Sequence, residues 1–277
     1  MGDCAIVTGS NGGFGQVITA KLLSMNYEVI ATVRERERGQ VLVDQATQIG
    51  KGDKLHLWEM DVTEPSHIEE LKQYLLSEKK QVVVLVNNSG YCQAGMVEGV
   101  TDQQWREQFD VNFFGVVSLT KALLPMFRSQ RSGSIINISS VSGFLGFPGM
   151  GAYAGSKFAL EGFSESLRYE MLPFHIYVSL IEPGSYQTRI WEKALKHAAE
   201  TEGDYKTMMA NLQKEALQAA ENSTAPEKIA EVVEKILRAK RPNLRYRLGT
   251  SAAMLHGLKQ TMPARWLEKI IVSRLLR

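Results

Sequence analysis

Short runs of apolar and β-branched residues alternate along the first two thirds of the chain with longer segments of helical periodicity. The runs are CAIVTG (4–9), EVIATV (28–33), KLHLWEM (54–60), VVVLVN (82–87), SIINIS (134–139) and IYVSLIEP (176–183). Apolar residues recur at helical spacing over 16–25, 65–77 and 104–127. Strands that are apolar throughout, each followed by a helix, are typical of a parallel sheet covered by helices on both faces. The pattern therefore predicts a doubly wound α/β fold.

The pattern changes after Pro183. Residues 186–222 are charged and helical in pattern and contain no strand-like run. We therefore expect a small helical lid over 185–223 beside a core formed by 1–184. No linker divides the chain, which predicts one domain over 1–277.

The last part of the chain, 224–277, carries three further elements. TAPEKIAEVVEKILRA (224–239) predicts a helix with Thr224 as its N-cap and Pro226 in its first turn. LRYRLG (244–249) predicts a final strand, and a basic tail follows it.

Composition narrows the class of protein without identifying it. Apolar residues make up 44% of the chain, charged residues 22%, and the net charge is +2, which is ordinary for a globular protein and does not favour nucleic-acid binding. Cys4 and Cys92 fit no metal-site spacing, and two cysteines in a chain of this size favour a reducing compartment. The N-terminus lacks the layout of a signal peptide, and the uncharged stretch 132–156 is too rich in Ser, Gly and Asn for a membrane span. We expect a cytoplasmic protein without a metal site.

A glycine-rich loop, TGSNGGFG (8–15), lies between the first predicted strand and the first predicted helix. Gly9, Gly13 and Gly15 permit a tight turn and let the backbone approach a pyrophosphate, while the helix N-terminus supplies N–H donors. The loop therefore predicts a dinucleotide site. A purely structural turn is the alternative.

The spacing Thr-Gly-x-x-x-Gly-x-Gly resembles the short form of the short-chain dehydrogenase/reductase family. NNSG (87–90), YAGSK (153–157) and PGSYQT (183–188) extend the resemblance over about residues 4–190. The closest likeness is to the hydroxysteroid and retinol dehydrogenase branch and its bacterial relatives. The resemblance implies a Rossmann-type fold that binds a nicotinamide dinucleotide.

The resemblance also implies site residues. Its four catalytic positions are Asn112, Ser140, Tyr153 and Lys157. Its cofactor-contacting positions are Thr8, Gly9, Ser10, Gly13, Phe14, Gly15, Asp61, Val62, Asn88, Ser89, Gly90, Tyr153, Lys157, Pro183, Gly184 and Thr188.

The pair Tyr153 and Lys157 has a physical rationale of its own. Residues four apart share one face of a helix. A phenol, with an ordinary pKa of about 10, needs its phenolate favoured by about 3–4 kcal/mol to exchange protons near neutral pH, and a nearby ammonium supplies energy of that order. We expect Lys157 to lower the phenol pKa and, as the resemblance implies, to hold the nicotinamide ribose.

In the mechanism that the resemblance implies, hydride passes between the nicotinamide C4 and the carbinol carbon of the substrate while Tyr153 exchanges the hydroxyl proton. Ser140 holds the substrate oxygen, and the adjacent Ser139 is the competing candidate. Asn112, expected in the middle of a long helix, completes a proton relay through a bound water. An ordinary polar helix residue is the alternative for Asn112.

The end of the second strand bears on the choice of cofactor. Val33 stands where a carboxylate would bind both ribose hydroxyls, and Arg34 follows it. A guanidinium suits a 2′-phosphate, so we expect NADP(H) rather than NAD(H). Glu35 and Glu37 weaken that expectation, and a solvated helix start is the alternative for RERER (34–38).

The substrate pocket is expected between GFLGFPGM (143–150) and the lid. Its predicted lining residues are Ser140, Phe144, Phe147, Met150 and Trp191. Apolar lining suits an apolar alcohol or carbonyl compound, although these side chains serve equally well for packing between lid and core. The leading hypothesis is an NADP(H)-dependent alcohol dehydrogenase or carbonyl reductase. One alternative is a non-enzymatic cofactor-binding regulator. Another is a lyase or epimerase of the family's extended form, which is less favoured because that form has a different glycine spacing.

The tail is strongly basic: nine Lys/Arg against one acid over 240–277 give it a charge of +8. ARWLEKIIVSRLLR (264–277) predicts a helix with Trp266, Leu267, Ile270, Ile271 and Leu275 on one side. Packing of that side on the lid or on a partner subunit is favoured, and peripheral contact with an anionic membrane is the alternative. The family resemblance implies a homodimer or homotetramer built on helices that include 104–127 and 153–170.

Overall fold

The computed structural model describes residues 2–184, 186, 194, 196, 198–199, 203–221 and 224–275. Seven strands form one parallel sheet in the order β3-β2-β1-β4-β5-β6-β7. They are β1 (Asp3–Val7), β2 (Glu28–Val33), β3 (Leu55–Glu59), β4 (Gln81–Asn87), β5 (Gly133–Ile138), β6 (Ile176–Pro183) and β7 (Arg245–Leu248). This order confirms the predicted Rossmann-type doubly wound sheet, and each strand lies within a residue or two of its predicted run.

Ten α-helices are described in the same residues. They are α1 (Gly13–Ser24), α2 (Gln40–Gln48), α3 (Pro65–Ser77), α4 (Asp102–Phe109), α5 (Gly115–Gln130), α6 (Gly151–Met171), α7 (Tyr205–Glu221), α8 (Glu227–Arg238), α9 (Thr250–Thr261) and α10 (Ala264–Leu275). The sequence pattern did not predict α9. It indicated α2 only through the alternative of a solvated helix start at RERER (34–38), where a 3₁₀ turn, Arg36–Gly39, leads into α2.

The two faces of the sheet carry separate apolar cores. On one face α1 and α8 bury Ile18, Leu22 and Val233 against alternate residues of the central strands. On the other face α3 and α5 bury Leu71 and Phe127. Because strands covered on both sides must be apolar at every position, this arrangement explains the solid apolar runs of the sequence.

The predicted helix over 104–127 is divided into three parts. A π-helical segment, Asp110–Phe114, separates α4 from α5. Taken together, Asp102–Gln130 contains an 18-residue window with a mean hydropathy of 1.2 and is long and apolar enough to span a membrane by length and composition alone. In the fold it packs on β4, α3 and α6.

The start of α8 differs from the prediction. Pro226, rather than Thr224, occupies the N-cap position, and Glu227 is the first helical residue. Thr224 instead forms an isolated parallel bridge with Tyr186. This bridge joins the two ends of the lid region, which no local helix signal reveals.

The tail helix α10 packs on the lid helix α7. Leu267 and Ile271 are half-buried, whereas Trp266 is 66% and Ile270 41% exposed. The predicted apolar side is therefore only partly covered in the single chain.

Candidate active site

The described site segments follow the carboxyl ends of five strands of one parallel sheet. The glycine loop follows β1, Asp61–Val62 follows β3, and NNSG overlaps the end of β4. Ser140 follows β5 by two residues, Pro183 is the last residue of β6, and Gly184 directly follows it. In open parallel sheets this edge, where the strand order reverses between β1 and β4, is where ligands bind.

The glycine loop is shaped by close backbone contacts. Gly9 has a φ of +60°, which favours glycine. At Gly15 a Cβ atom would lie 2.4 Å from the carbonyl oxygen of Gly9, so a side chain has no room there. The buried hydroxyl of Ser10 donates to the carbonyl of Val7 at 2.8 Å, which ties the loop back to β1.

The N-terminus of α1 is left open for an anion. Its N-cap is Gly12, no side chain caps it, and its first turn contains no acidic residue. The first N–H groups of a helix have no partners within the helix and carry partial positive charge, so they bind phosphate well. Phe14 packs its ring edge-to-face on Tyr186, with centroids 5.4 Å apart, so its side chain contributes to packing.

Thr8 and Asn88 join the loops after β1 and β4. The hydroxyl oxygen of Thr8 accepts from the backbone N–H groups of Asn88 and Ser89, both at 2.9 Å. In return, the side-chain amide of Asn88 donates to the carbonyls of Thr8 at 2.8 Å and Gly9 at 3.1 Å. The two predicted cofactor segments are thus held in fixed register.

The adenine side of the predicted site carries Asp61, Val62 and Arg34. Asp61 Oδ1 accepts from the backbone N–H and the hydroxyl of Thr63, at 2.9 and 2.7 Å. Val62 is buried against Gly115, where a Cβ atom would lie 2.8 Å from Val62 Cγ2. Arg34 is exposed just beyond β2 and makes no ion pair in the described part of the chain, whereas its neighbour Glu35 is paired with Arg38 at 2.7 Å.

Tyr153, Ser140 and Lys157 meet at the start of α6. The hydroxyl of Ser140 lies close enough to the phenol of Tyr153 to lower its pKa. Ser140 rather than Ser139 therefore faces the tyrosine; Ser139 is buried, and its hydroxyl has no hydrogen-bond partner among the described residues. Lys157 Nζ lies 5.8 Å from the centroid of the Tyr153 ring and donates to the carbonyl of Ile138 at 2.8 Å.

Asn112 lies in the π-helical segment rather than in a regular helix. Its amide oxygen accepts from the backbone N–H of Tyr91 at 3.1 Å, and its amide nitrogen donates to the carbonyl of Tyr91 at 2.9 Å and to Ser156 Oγ at 3.2 Å. A Cβ atom on Gly90 would lie 3.1 Å from Asn112 Oδ1 and 3.9 Å from Lys157 Nζ. Gly90 therefore lies at the junction of the predicted cofactor and catalytic residues.

Burial dominates the electrostatics of this cluster. Desolvation raises the pKa of Tyr153 above its ordinary value, Cys92 raises it further, and the hydrogen bond from Ser140 lowers it. Desolvation lowers the pKa of Lys157 to about 8, against the opposing effect of Glu161. The lowered phenol pKa expected from the sequence is therefore wrong for the protein alone, because the loss of hydration dominates the pKa of Tyr153.

The predicted substrate residues separate into different places. Met150 packs with Tyr153 beside Cys92 and Ala94. Phe144 lies elsewhere: its ring packs on His256 at 5.2 Å, in a cleft of about 520 Å³ that Glu161 also lines. Phe144 and Met150 therefore pack in different places, and the role of Phe144 in a pocket between 143–150 and the lid stays a prediction.

The remaining predicted cofactor and substrate residues include Phe147, Gly184, Thr188 and Trp191. Phe147 is half-buried. Gly184 directly follows β6 and donates its N–H to the carbonyl of Leu248 at 3.1 Å. Thr188 and Trp191 lie outside the described residues. The lid helix α7 places Met209 against the loop that leads to Met150, since a Cβ atom on Gly149 would lie 3.3 Å from Met209 Sδ.

Sequence reasoning missed Cys92 and Ala94 beside Tyr153. Both are buried in one cluster with the tyrosine, and burial raises the pKa of the Cys92 thiol to about 12. Their position just after NNSG was the available signal. The spacing of Cys92 from Cys4, which fits no metal site, gives no sign that Cys92 lies in the wall of the site.

Comparison with known proteins agrees with this architecture. The sequence profile described as short chain dehydrogenase matches residues 3–199. The uncharacterized oxidoreductase YusZ of Bacillus subtilis is 37% identical over 98% of both chains. The 3-ketodihydrosphingosine reductase of Bacteroides thetaiotaomicron is 32% identical over 98% of this chain and 96% of its own.

Solved structures show the same fold. A short-chain dehydrogenase from Streptomyces avermitilis superposes with a TM-score of 0.83, at 32% identity over 99% of this chain and 98% of its own. A serine dehydrogenase complexed with NADP+ superposes with a TM-score of 0.76, at 28% identity over 88% of this chain and 94% of its own.

The fold, the loop and the Ser–Tyr–Lys cluster define an oxidoreductase of the dinucleotide-binding α/β class. This chain belongs to the short-chain dehydrogenase family. Its residues fit a nicotinamide dinucleotide, because the uncapped α1 N-terminus offers free donors beside glycines that leave no side chains in the way.

Proposed function

We propose that the protein is an NADP(H)-dependent oxidoreductase that interconverts an apolar alcohol and its carbonyl compound. The observation that carries the proposal is the meeting of Ser140, Tyr153, Lys157 and Asn112 beside an open helix N-terminus. When bound, the nicotinamide supplies the hydride donor or acceptor.

In this proposal the side chains handle the proton and the substrate oxygen. Tyr153 holds the exchangeable proton, and its raised pKa keeps that proton on the phenol in the protein alone. Ser140, beside the phenol, orients the oxygen of the substrate. Asn112, fixed by three hydrogen bonds, holds the backbone of Tyr91 next to Lys157. A water bound there would complete the proton relay.

NADP(H) is the proposed cofactor because Arg34 is exposed and unpaired in the described chain, and Val33 before it is apolar. Glu35, the nearest competing carboxylate, is already paired with Arg38. The NADP+ bound to the serine dehydrogenase supports the same choice. The apolar surroundings of Tyr153 support an apolar substrate, as does the lipid substrate in the name of the Bacteroides reductase.

A panel of aldehydes and ketones with NADPH and NADH tests this function. We expect reduced-cofactor absorbance to fall faster with NADPH, and fastest with long-chain or cyclic apolar carbonyl compounds. Tight cofactor binding without turnover on any member would instead favour the non-enzymatic regulator.

We also propose an assembly and a location. Exposed Phe114 on the π-helical segment and Tyr169 on α6, at 53% and 63%, support a homodimer or homotetramer through this side of the molecule. Light scattering at micromolar concentration tests it, and a purely monomeric protein would contradict it. Two free, buried cysteines support a reducing cytoplasmic location, which fractionation tests.

Peripheral membrane contact through the tail is also proposed, but fewer of the tail's basic side chains are free to contact lipid than the sequence implied. Arg245 and Arg247 are ion-paired inside the fold. Exposed Trp266 and Ile270 lie on α10 with Lys269 near them in sequence, which fits an anionic lipid surface.

A further inference from the structure

A network of charged side chains lies behind α6, on the β7 side of the sheet. Arg245 Nε lies 2.9 Å from Glu161 Oε2 and 3.4 Å from Glu182 Oε1, and Arg245 Nη2 lies 2.6 Å from Glu165 Oε2. Arg247 Nε lies 3.0 Å from Glu182 Oε2. Two guanidinium groups thus bind three carboxylates from two other elements.

Two of the three carboxylates, Glu161 and Glu182, border different parts of the active site. Glu161 lies one turn beyond Lys157 on α6. It also lies against the loop that carries Ser140, since a Cβ atom on Gly143 would be 3.3 Å from Glu161 Oε1. Glu182 directly precedes Pro183 and Gly184 on β6.

We propose that Arg245 and Glu161 form a positioning pair that aligns α6 with the Ser140 loop and sets the charge state of Lys157. Glu161 places a negative charge one helical turn from a buried ammonium, and Arg245 fixes and partly neutralises that charge. Neither residue touches the reacting atoms. The inference rests on the proposed function, because it assigns the pair to proton exchange at Tyr153.

The charges around Glu161 are all accounted for among the described residues. Lys157 and Glu165 face it from α6, Glu182 from β6, and Arg245 and Arg247 from β7. His256 and Lys259 of α9 line the same cleft. Glu161 raises the pKa of Lys157, and burial lowers it. Glu161 therefore keeps the lysine more protonated than its burial alone would.

If the proposal is right, removing the negative charge of Glu161 and removing the positive charge of Arg245 should shift the pH profile of activity in opposite directions. Removal of a negative charge favours the deprotonated forms of both Lys157 and Tyr153, so Glu161→Gln should move the pH profile of kcat/KM to lower pH by at least about half a unit. Arg245→Met leaves the carboxylates uncompensated and should move it to higher pH. The double variant should return close to the wild-type profile.

Two further variants separate charge from structure. Arg245→Lys keeps the charge and should keep the wild-type profile even if it lowers stability. Arg168 on the same helix is a matched control, because within the described part of the chain its guanidinium donates only to the carbonyls of Val178 and Pro242. Arg168→Met should lower the melting temperature without moving the profile. All profiles are recorded at one fixed ionic strength, since the cleft is open to salt.

The pH dependence of NADP+ binding, followed by tryptophan fluorescence, gives a readout without turnover. It should show the same opposite shifts. If Glu161→Gln and Arg245→Met shift both readouts in one direction, or not at all, the pair is only structural and the proposal is wrong. If wild-type protein turns over no carbonyl compound, the proposed function fails while the binding readout still decides this inference.

Discussion

At the scale of single residues, the active site is governed by how deeply its ionisable groups are buried. Tyr153 and Lys157 are 7% and 5% exposed, so both lose most of their hydration on folding. Burial favours the neutral form of each group, which raises the pKa of Tyr153 and lowers that of Lys157. The protein alone therefore holds the proton on the phenol and carries a destabilised ammonium.

Replacement of Tyr153 by Phe removes one hydroxyl and little else. We expect turnover to fall by about 10²–10⁴-fold, the usual contribution of a general acid or base, with NADPH binding nearly unchanged. Steady-state rates and fluorescence titration measure the two effects. Tyr91→Phe, at a neighbouring tyrosine outside the proposed proton path, is the control. Retained turnover in Tyr153→Phe would contradict the mechanism.

Replacement of Lys157 by Met should stabilise the protein while it inactivates it. Its pKa in the folded protein, about 8, is below its ordinary value of 10.5, so the buried charge costs stability fully below pH 8 and the cost disappears as pH rises towards 10.5. In the wild-type protein the buried charge costs about 3 kcal/mol of stability at neutral pH. Lys157→Met removes that cost but also loses the hydrogen bond to the carbonyl of Ile138, which contributes about 1 kcal/mol.

Thermal melts of the cofactor-free protein at pH 7 and pH 10 measure this effect. We expect Lys157→Met to melt higher than wild type at pH 7, by an amount equivalent to about 1–2 kcal/mol, and to lose that advantage near pH 10. An equal or lower melting temperature at pH 7 would show that Lys157 is not a buried charge in the folded protein.

Arg34 is the residue that should decide the cofactor. Arg34→Gln removes a guanidinium that suits a 2′-phosphate, so we expect NADPH binding to weaken by about tenfold, as one charged hydrogen bond implies, while NADH binding changes little. Arg36→Gln, two residues further along the same exposed segment, is the matched control. If Arg34→Gln weakens the binding of NADPH and NADH equally, Arg34 has a structural role and does not select the cofactor.

At the scale of elements, glycines and a π-helical segment shape the site more than regular helix geometry does. Asn112 lies within Asp110–Phe114, where the irregular turn directs its amide to the backbone of Tyr91. The loop after β1 depends in the same way on Gly15, which packs directly on Gly9.

Gly15→Ala tests the loop. A Cβ atom 2.4 Å from a carbonyl oxygen forces the backbone apart, so we expect a loss of several kcal/mol in stability or of measurable cofactor binding. Gly162→Ala on α6 is the control, since a Cβ atom there meets nothing within 4 Å, and it should stabilise the helix by about 0.5–1 kcal/mol. Normal NADPH binding by Gly15→Ala would show that the loop adapts.

At the scale of the whole molecule, the tail determines which surface remains apolar. α10 covers part of the lid with Leu267 and Ile271 and leaves Trp266 and Ile270 exposed. The double substitution of Trp266 and Ile270 by Ser should therefore reduce cosedimentation with anionic vesicles at low salt, with little change in melting temperature. Leu76→Ser, at an exposed apolar residue of α3, is the control. If wild-type protein does not sediment with the vesicles, membrane contact is contradicted, and packing on a partner subunit becomes the favoured role of the exposed side of α10.

The sequence by itself predicted where the strands of the sheet lie along the chain and which residues form the proposed central site. Apolar runs and helical spacing depend on chain geometry within a few residues, so they predicted six strands of the sheet and suggested the seventh. Tyr153 and Lys157 share a helix face for the same local reason. The family motifs located Ser140 and Asn112, which spacing alone did not.

Only the tertiary structure decided which distant groups meet. Arg245 reaches Glu161 across 84 positions of sequence, and Phe144 packs on His256 across 112. The pKa directions at Tyr153 and Lys157 were decided there too, because hydration is lost only when α6 docks on the sheet. Local patterns fix how a segment is built, whereas ion pairs, ring contacts and burial depend on how the finished elements pack against each other.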